Sequence, residues 1–214
     1  SFQEANGLPV DGMLGQATKE LLTTVLLQGE DVESETAPSP EEKNTEKPTV
    51  AIVAAKDYDV QLLDWWTEAS LIFKIGTKAR VTDVATGITF NIVRTYGYNH
   101  ADSEALTKAD SNAMKKAWGG SWSWARRPVI IEIDGRKIAA SIAAMPHAGV
   151  DSAEASVYVA NRSGGFGSGY NLDKVKNNGM DGVVDVHFLN SKTHGTDKVD
   201  SKHQEAIQEA FSHN

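Results

Sequence analysis

Cysteine is absent from the 214 residues, which excludes disulfides, thiolate-rich zinc sites and a cysteine nucleophile together. No apolar run approaches the roughly 18 residues needed to cross a bilayer, so these residues contain no membrane span. A basic surplus is missing too. The formal net charge is −8, which argues against nucleic acid as a partner. There is no P-loop, no dinucleotide-binding fingerprint, no G-x-S-x-G elbow around Ser123 or Ser191, and no H-E-x-x-H. No leader is visible, but the chain opens inside a motif, as expected of a piece of a longer protein. The missing leader therefore carries no information about secretion.

Hydrophobic content of 40% and charged content of 23% fit a globular protein of one sizeable domain plus a small module. Residues 29–49 hold seven acidic residues against two lysines, a net −5 of the chain's −8, with Pro38, Pro40 and Pro48 interspersed. That composition is expected of a solvated linker. It divides the chain into 1–28, 29–49 and a globular 50–214.

Within 50–214, Asp59 to Phe73 shows helical spacing of Leu62, Trp65, Trp66, Ala69, Ile72 and Phe73. Lys78 to Val84 and Ile88 to Arg94 read as a hairpin, as do Val129 to Ile133 and Lys137 to Ile142 around Asp134-Gly135. The latter pair runs on into Met145-Pro146-His147. His100 and Asp102 fall in a stretch read as a loop. Thr107 to Trp118 reads as a helix, and so does Asp200 to Phe211 behind an Asp200 or Ser201 cap. The expected fold class is α+β: a small helical N-terminal piece, then antiparallel hairpins with flanking helices.

Asp181 to Gly195 is the stretch richest in candidate chemistry. Val183, Val184, Val186 and Phe188 make a strand, and alternation puts Asp185 and His187 on one face. A polar loop with Ser191, Thr193 and His194 follows. Of the six histidines, His203 and His213 read as surface residues of the last helix, whereas His100, His147, His187 and His194 lie at strand ends or in loops. This predicts a catalytic zinc held by His147, His187 and Asp185. Asp185 serves as the third ligand or as the general base, and His194 steadies the oxyanion. The competing reading is an Asp–His pair that only orients a loop. Trp118, Trp122 and Trp124, with Tyr96 and Tyr98, are candidates for a sugar-stacking platform. Gly164 to Gly169 reads as a mobile loop.

Residues 2–22 contain F-Q-x-x-x-G-L-x-V-D-G-x-x-G-x-x-T, carried by Phe2, Gln3, Gly7, Leu8, Val10, Asp11, Gly12, Gly15 and Thr18. This resembles the second half of the peptidoglycan-binding module of bacterial cell-wall enzymes. The resemblance implies peptidoglycan as partner and a secreted, extracellular cell-wall location. The spacing His147 to Glu154 is similar to that of zinc D,D- and L,D-peptidases of the wall, whose second position is Asp. Met145-Pro146-His147 and Val183 to Phe188 also resemble, coarsely, the two conserved stretches of L,D-transpeptidases. There the nucleophile falls on Asp185 and its histidine partner on Val183, so the acyl-enzyme route is closed. The expectation is a zinc-dependent peptidoglycan amidase or peptidase. The alternative is a non-catalytic wall-binding domain derived from a transpeptidase-like fold.

Overall fold

The computed structural model describes residues 60–213. The peptidoglycan-binding resemblance and the acidic linker lie outside them, as do the first ten residues of the expected globular part. Strands are built where β-branched and aromatic residues alternate with polar ones. β1 (Lys78–Asp83) and β2 (Thr89–Tyr96) bury Ala79, Val81 and Asp83 against Phe90 and Ile92. Asp83 closes their turn by accepting from the Thr86 backbone N–H and hydroxyl at 3.0 and 2.7 Å.

β3 (Ala101–Ala105) follows, and α2 (Lys108–Ala117) is capped by the Thr107 hydroxyl, which accepts from the Asp110 N–H at 3.1 Å. The π-helical turn Trp65–Ala69 and the single turn α1 (Ser70–Ile72) precede the barrel. β4 (Arg126–Ile133) and β5 (Arg136–Ala148) meet at Asp134-Gly135. Both turn residues have positive φ, 49° and 78°, as a two-residue hairpin turn of matching twist demands.

β6 (Tyr158–Arg162) and β7 (Gly167–Tyr170) form a separate two-stranded sheet joined by the short turn Ser163–Gly165. β8 (Gly182–His187) enters the main sheet between β3 and β5, and α3 (Ser201–Phe211) ends the described chain.

The main sheet is a closed barrel in the order β1-β2-β3-β8-β5-β4, with every neighbouring pair antiparallel. Closure removes both sheet edges, and with them the unpaired N–H and C=O rows that invite aggregation. Its interior is filled by side chains such as Val81, Phe90, Ile92, Ile131, Ile138, Ile142, Val184 and Val186. Trp65 stacks on Phe188 at 5.7 Å and Phe73 meets the same ring edge-on at 6.1 Å. α3 packs outside the wall, where Ile207 and Ala210 rest on Ala139. The small side chains Ala139 and Ser141 on the outer face of β5 let this helix lie close to it.

The architecture corrects the expected α+β class. Among the described residues the protein is mostly β, a closed six-stranded barrel with three short helices. Both predicted hairpins are present, but they are segments of one closed wall. The helical spacing of Asp59 to Phe73 yields only the π turn and α1, because Trp65, Ala69 and Phe73 are consumed as buried packing against the barrel. The expected loop around Asp102 is strand β3, since its backbone pairs with β2 on one side and β8 on the other. Gly164 to Gly169 turns back into β7 rather than forming an open loop.

Two backbone and charge devices hold this wall. Asp83 is fully buried and receives both Arg127 guanidinium donors at 2.8 Å. Burial alone raises its pKa, but hydrogen bonds from Arg127 and Thr86 outweigh that and hold it below the ordinary carboxyl value. Gly182 has φ of 89°, and a Cβ there would run into the His147 carbonyl and the Gly149 N–H. The end of β8 therefore needs glycine to approach β5.

Arg127→Ala strands a buried carboxylate and is expected to destabilise the protein by about 3 kcal/mol in urea unfolding. The folded pKa of Asp83 is depressed, so its stabilisation is complete above the unfolded value of 3.8 and is lost as pH falls through the lower folded value. The stability gap between wild type and Asp83→Asn should thus be constant above that value and narrow below it. Gly182→Ala is expected to cost about 2 kcal/mol, read as a lowered thermal midpoint, from left-handed backbone strain and the clash with β5.

Candidate metal centre

The centre of the site is a register position. β3 and β8 pair so that Asp102 lies directly opposite Asp185. Alternation turns Ala101, Ala105, Val184 and Val186 into the barrel and Asp102 and Asp185 out of it. Side chains directly opposite in an antiparallel pair lie within about 5.5 Å of each other at Cβ, so two carboxylates there repel unless a cation joins them.

His100, the residue before β3, supplies that contact. Its Nδ1–H donates to the Lys192 carbonyl at 2.7 Å, which fixes the tautomer and aims Nε2 at the acids. Nε2 lies 3.0 Å from Asp185 Oδ1 and 3.2 Å from Asp102 Oδ1. Burial opposes charge on this ring, but the hydrogen bonds and charges of Asp102 and Asp185 push its pKa up to about 10. Burial works against Asp102 and Asp185 as well, and their histidine partners hold both below the ordinary carboxyl value.

Two further histidines reach the same acids. His147, near the end of β5, donates Nδ1–H to the Met145 carbonyl at 2.9 Å and directs Nε2 to Asp185 Oδ1 at 3.3 Å. His194, from the loop after β8, places Nε2 3.1 and 3.2 Å from the two Asp102 oxygens. Asn99 ties that loop to the β2–β3 turn. Its amide donates to the Thr193 carbonyl and to Asp197, and its own carbonyl accepts from Lys192 N–H.

His187 shares the outward face with Asp185, as the alternation predicts, but its surroundings differ from those of a ligand. It lies opposite Ser141 under α3, stacked on His203 at 3.7 Å and on His100 at 4.2 Å. Its Nδ1 is buried with no hydrogen-bond partner. Burial and the charge of His100 hold its pKa well below the ordinary value, so the ring is neutral. His203 is 2% exposed, and its pKa falls to about 4, chiefly from burial. It packs on the face shared with Ala206, Ile207 and Ala210 and bonds Ser141 Oγ through Nδ1 at 2.9 Å, which corrects its reading as a surface residue. Three imidazoles, His203, His187 and His100, thus stack in a column that His194 meets at a tilt of 44°, with Asp102 and Asp185 beside it.

The trio whose ligand atoms converge is His100, Asp102 and His194, all within 4.8 Å of one another, and this group can hold a metal ion. Of the trio expected from the sequence, Asp185 and His147 meet beside it, while His187 stands behind His100 as packing. His194 is a potential ligand and stands hydrogen-bonded to Asp102. His100 and Asp102 carried a legible signal: histidine and aspartate two residues apart share one face of any extended strand. Reading that segment as a loop concealed it. His203 was legible from its helical spacing to Ile207 and Ala210.

Other sequence candidates disperse. Glu154 is exposed and is not among the residues whose ligand atoms converge. Trp118 is buried against Phe90, Trp122 packs on the core beneath Lys115, and Tyr96 carries Lys174 over its ring. Only Trp124 of the expected platform reaches the site, 5.2 Å from His147, joined there by Phe166 at 4.7 Å. Gly164 makes that approach possible, because a Cβ on it would come within 2.6 Å of His147 Cβ. No family model, curated protein or solved structure matches the chain.

Proposed function

We propose that the protein binds peptidoglycan and hydrolyses an amide or peptide bond in it, at a zinc ion held by His100, Asp102 and His194. The observation that carries the metal is the convergence of Nε2 of His100, a carboxylate oxygen of Asp102 and Nε2 of His194, spaced 3.1 and 3.2 Å along its two measured edges. Four ligands on bonds of about 2.1 Å in a tetrahedron stand about 3.4 Å apart, so little movement is needed to seat the ion. The proton that otherwise joins His100 to two carboxylates marks where positive charge is wanted. Cell-wall substrate and extracellular location rest on the resemblance in residues 2–22 alone.

Bound zinc supplies a Lewis acid and a water acidified to near neutrality. The chain's own residues do the rest. The Lys192 carbonyl keeps His100 in the tautomer whose Nε2 faces the metal position. Asp185, paired with His147, accepts the proton of the attacking water. His147, its Nδ1–H anchored on Met145, takes that proton from Asp185 at Nε2, 3.3 Å away, and would deliver it to the leaving amine.

Elemental analysis and hydrolysis of purified sacculi test this together. One zinc per chain is expected, lost in His100→Ala and in Asp102→Ala but retained in His187→Ala. Asp185→Asn should keep the metal and lose activity by about 10²-fold or more, measured as new amino groups released. A chain that takes up no zinc yet binds sacculi would establish the non-catalytic wall-binding alternative instead.

A further inference from the structure

We propose that a cavity beside the metal centre, bordered by Arg126, Lys198 and Lys202, takes a carboxylate of the substrate, so that the enzyme selects acidic peptides. This rests on the amide-hydrolase reading and names its substrate class. The cavity measures about 650 Å³ and is lined by Thr193 and Gly195 as well, the two residues flanking His194. A ligand seated in it therefore lies against the loop that delivers one of the proposed zinc ligands.

Its charge is unbalanced. The one carboxylate on its wall, Asp200, is already engaged: Oδ2 accepts from Arg126 at 2.8 Å, and Oδ1 accepts the Lys202 and His203 N–H groups that it caps. Lys198 and Lys202 are exposed and form no ion pair among the described residues. The Nε–H of Arg126 is buried and has no acceptor, although Nη1 and Nη2 are taken by the Trp124 carbonyl and Asp200. The two free ammonium groups leave the cavity with a positive surplus, and a carboxylate is the group that balances it. Trp124, whose carbonyl holds Arg126, is the same residue whose ring lies against His147. Recognition of the anion and placement of the proton-transfer pair thus share one short segment of chain.

Calorimetric titration of the full-length chain carrying Asp185→Asn, to suppress turnover, compares acetyl-alanyl-alanine with its C-terminal amide. The free acid should bind roughly tenfold more tightly or better, the worth of a charge-assisted hydrogen bond, and Lys198→Gln/Lys202→Gln should abolish the preference. Acetyl-glutamyl-alanine amide forms a third arm. Binding as tight as the free acid shows that the pocket takes a side-chain carboxylate as well as a chain terminus, and binding no tighter than the amide restricts it to the terminus. Equal affinity for acid and amide overturns the proposal, as does no binding of any of the three, or a preference that survives in the double variant. With wild-type zinc-loaded chain, selective binding without cleavage leaves the pocket and removes the hydrolase reading. Equal cleavage of acid and amide leaves the hydrolase and removes the pocket.

Discussion

Two carboxylates face each other across adjacent strands, and the site is arranged to make that tolerable. Asp102 and Asp185 occupy opposite register positions on β3 and β8, outside the barrel yet largely covered. Their mutual repulsion in a covered setting has three remedies: protonation, a protein cation or a metal cation. The chain provides the second through His100 and the geometry for the third through His194. The same spacing serves both states, because hydrogen-bonded donors and acceptors stand about as far apart as neighbouring ligands around a small ion. A proton and a metal are thus alternatives at one point.

The barrel matters to this centre chiefly as a means of fixing register. A slip of one residue between β3 and β8 would send Asp102 or Asp185 into an interior filled by Val184, Val186 and Ile142. Closure forbids such a slip, since every strand is held on both sides. The irregularities sit where the site requires them. β5 changes register against β8 between Ala143 and His147, which brings the latter's Nε2 to Asp185. Gly182 admits the close backbone contact just beyond. Behind the centre, neutral His187 and His203 form a flat backing to His100. They cover its ring without adding charge that would compete for the carboxylates.

Much of the local structure is legible in the residues. The hairpins, the α2 and α3 caps at Thr107 and Asp200, and the shared face of Asp185 and His187 all follow from short-range rules of turn chemistry and period-2 or helical spacing. The Asp185–His147 contact joins two residues singled out from sequence alone. What escaped was assignment by partner. His100 and Asp102 come from a segment whose polar, small residues carry little strand propensity and pair only because β2 and β8 flank them. Trp118 and Trp122 have the same side chain as Trp124, and only packing decides which of the three stays near the surface.

The sequence by itself determined the chemistry on offer: no thiol, several histidines and aspartates near strand ends, and a part of globular composition behind an acidic tract. These are properties of composition and of neighbours along the chain. The tertiary structure decided which groups act together. His100, Asp102 and His194 lie up to 94 residues apart in numbering, so their convergence depends on β8 inserting between β3 and β5 and on the loop after it folding back onto Asn99. It also placed His187, the histidine of β8, beneath α3, stacked between the rings of His203 and His100.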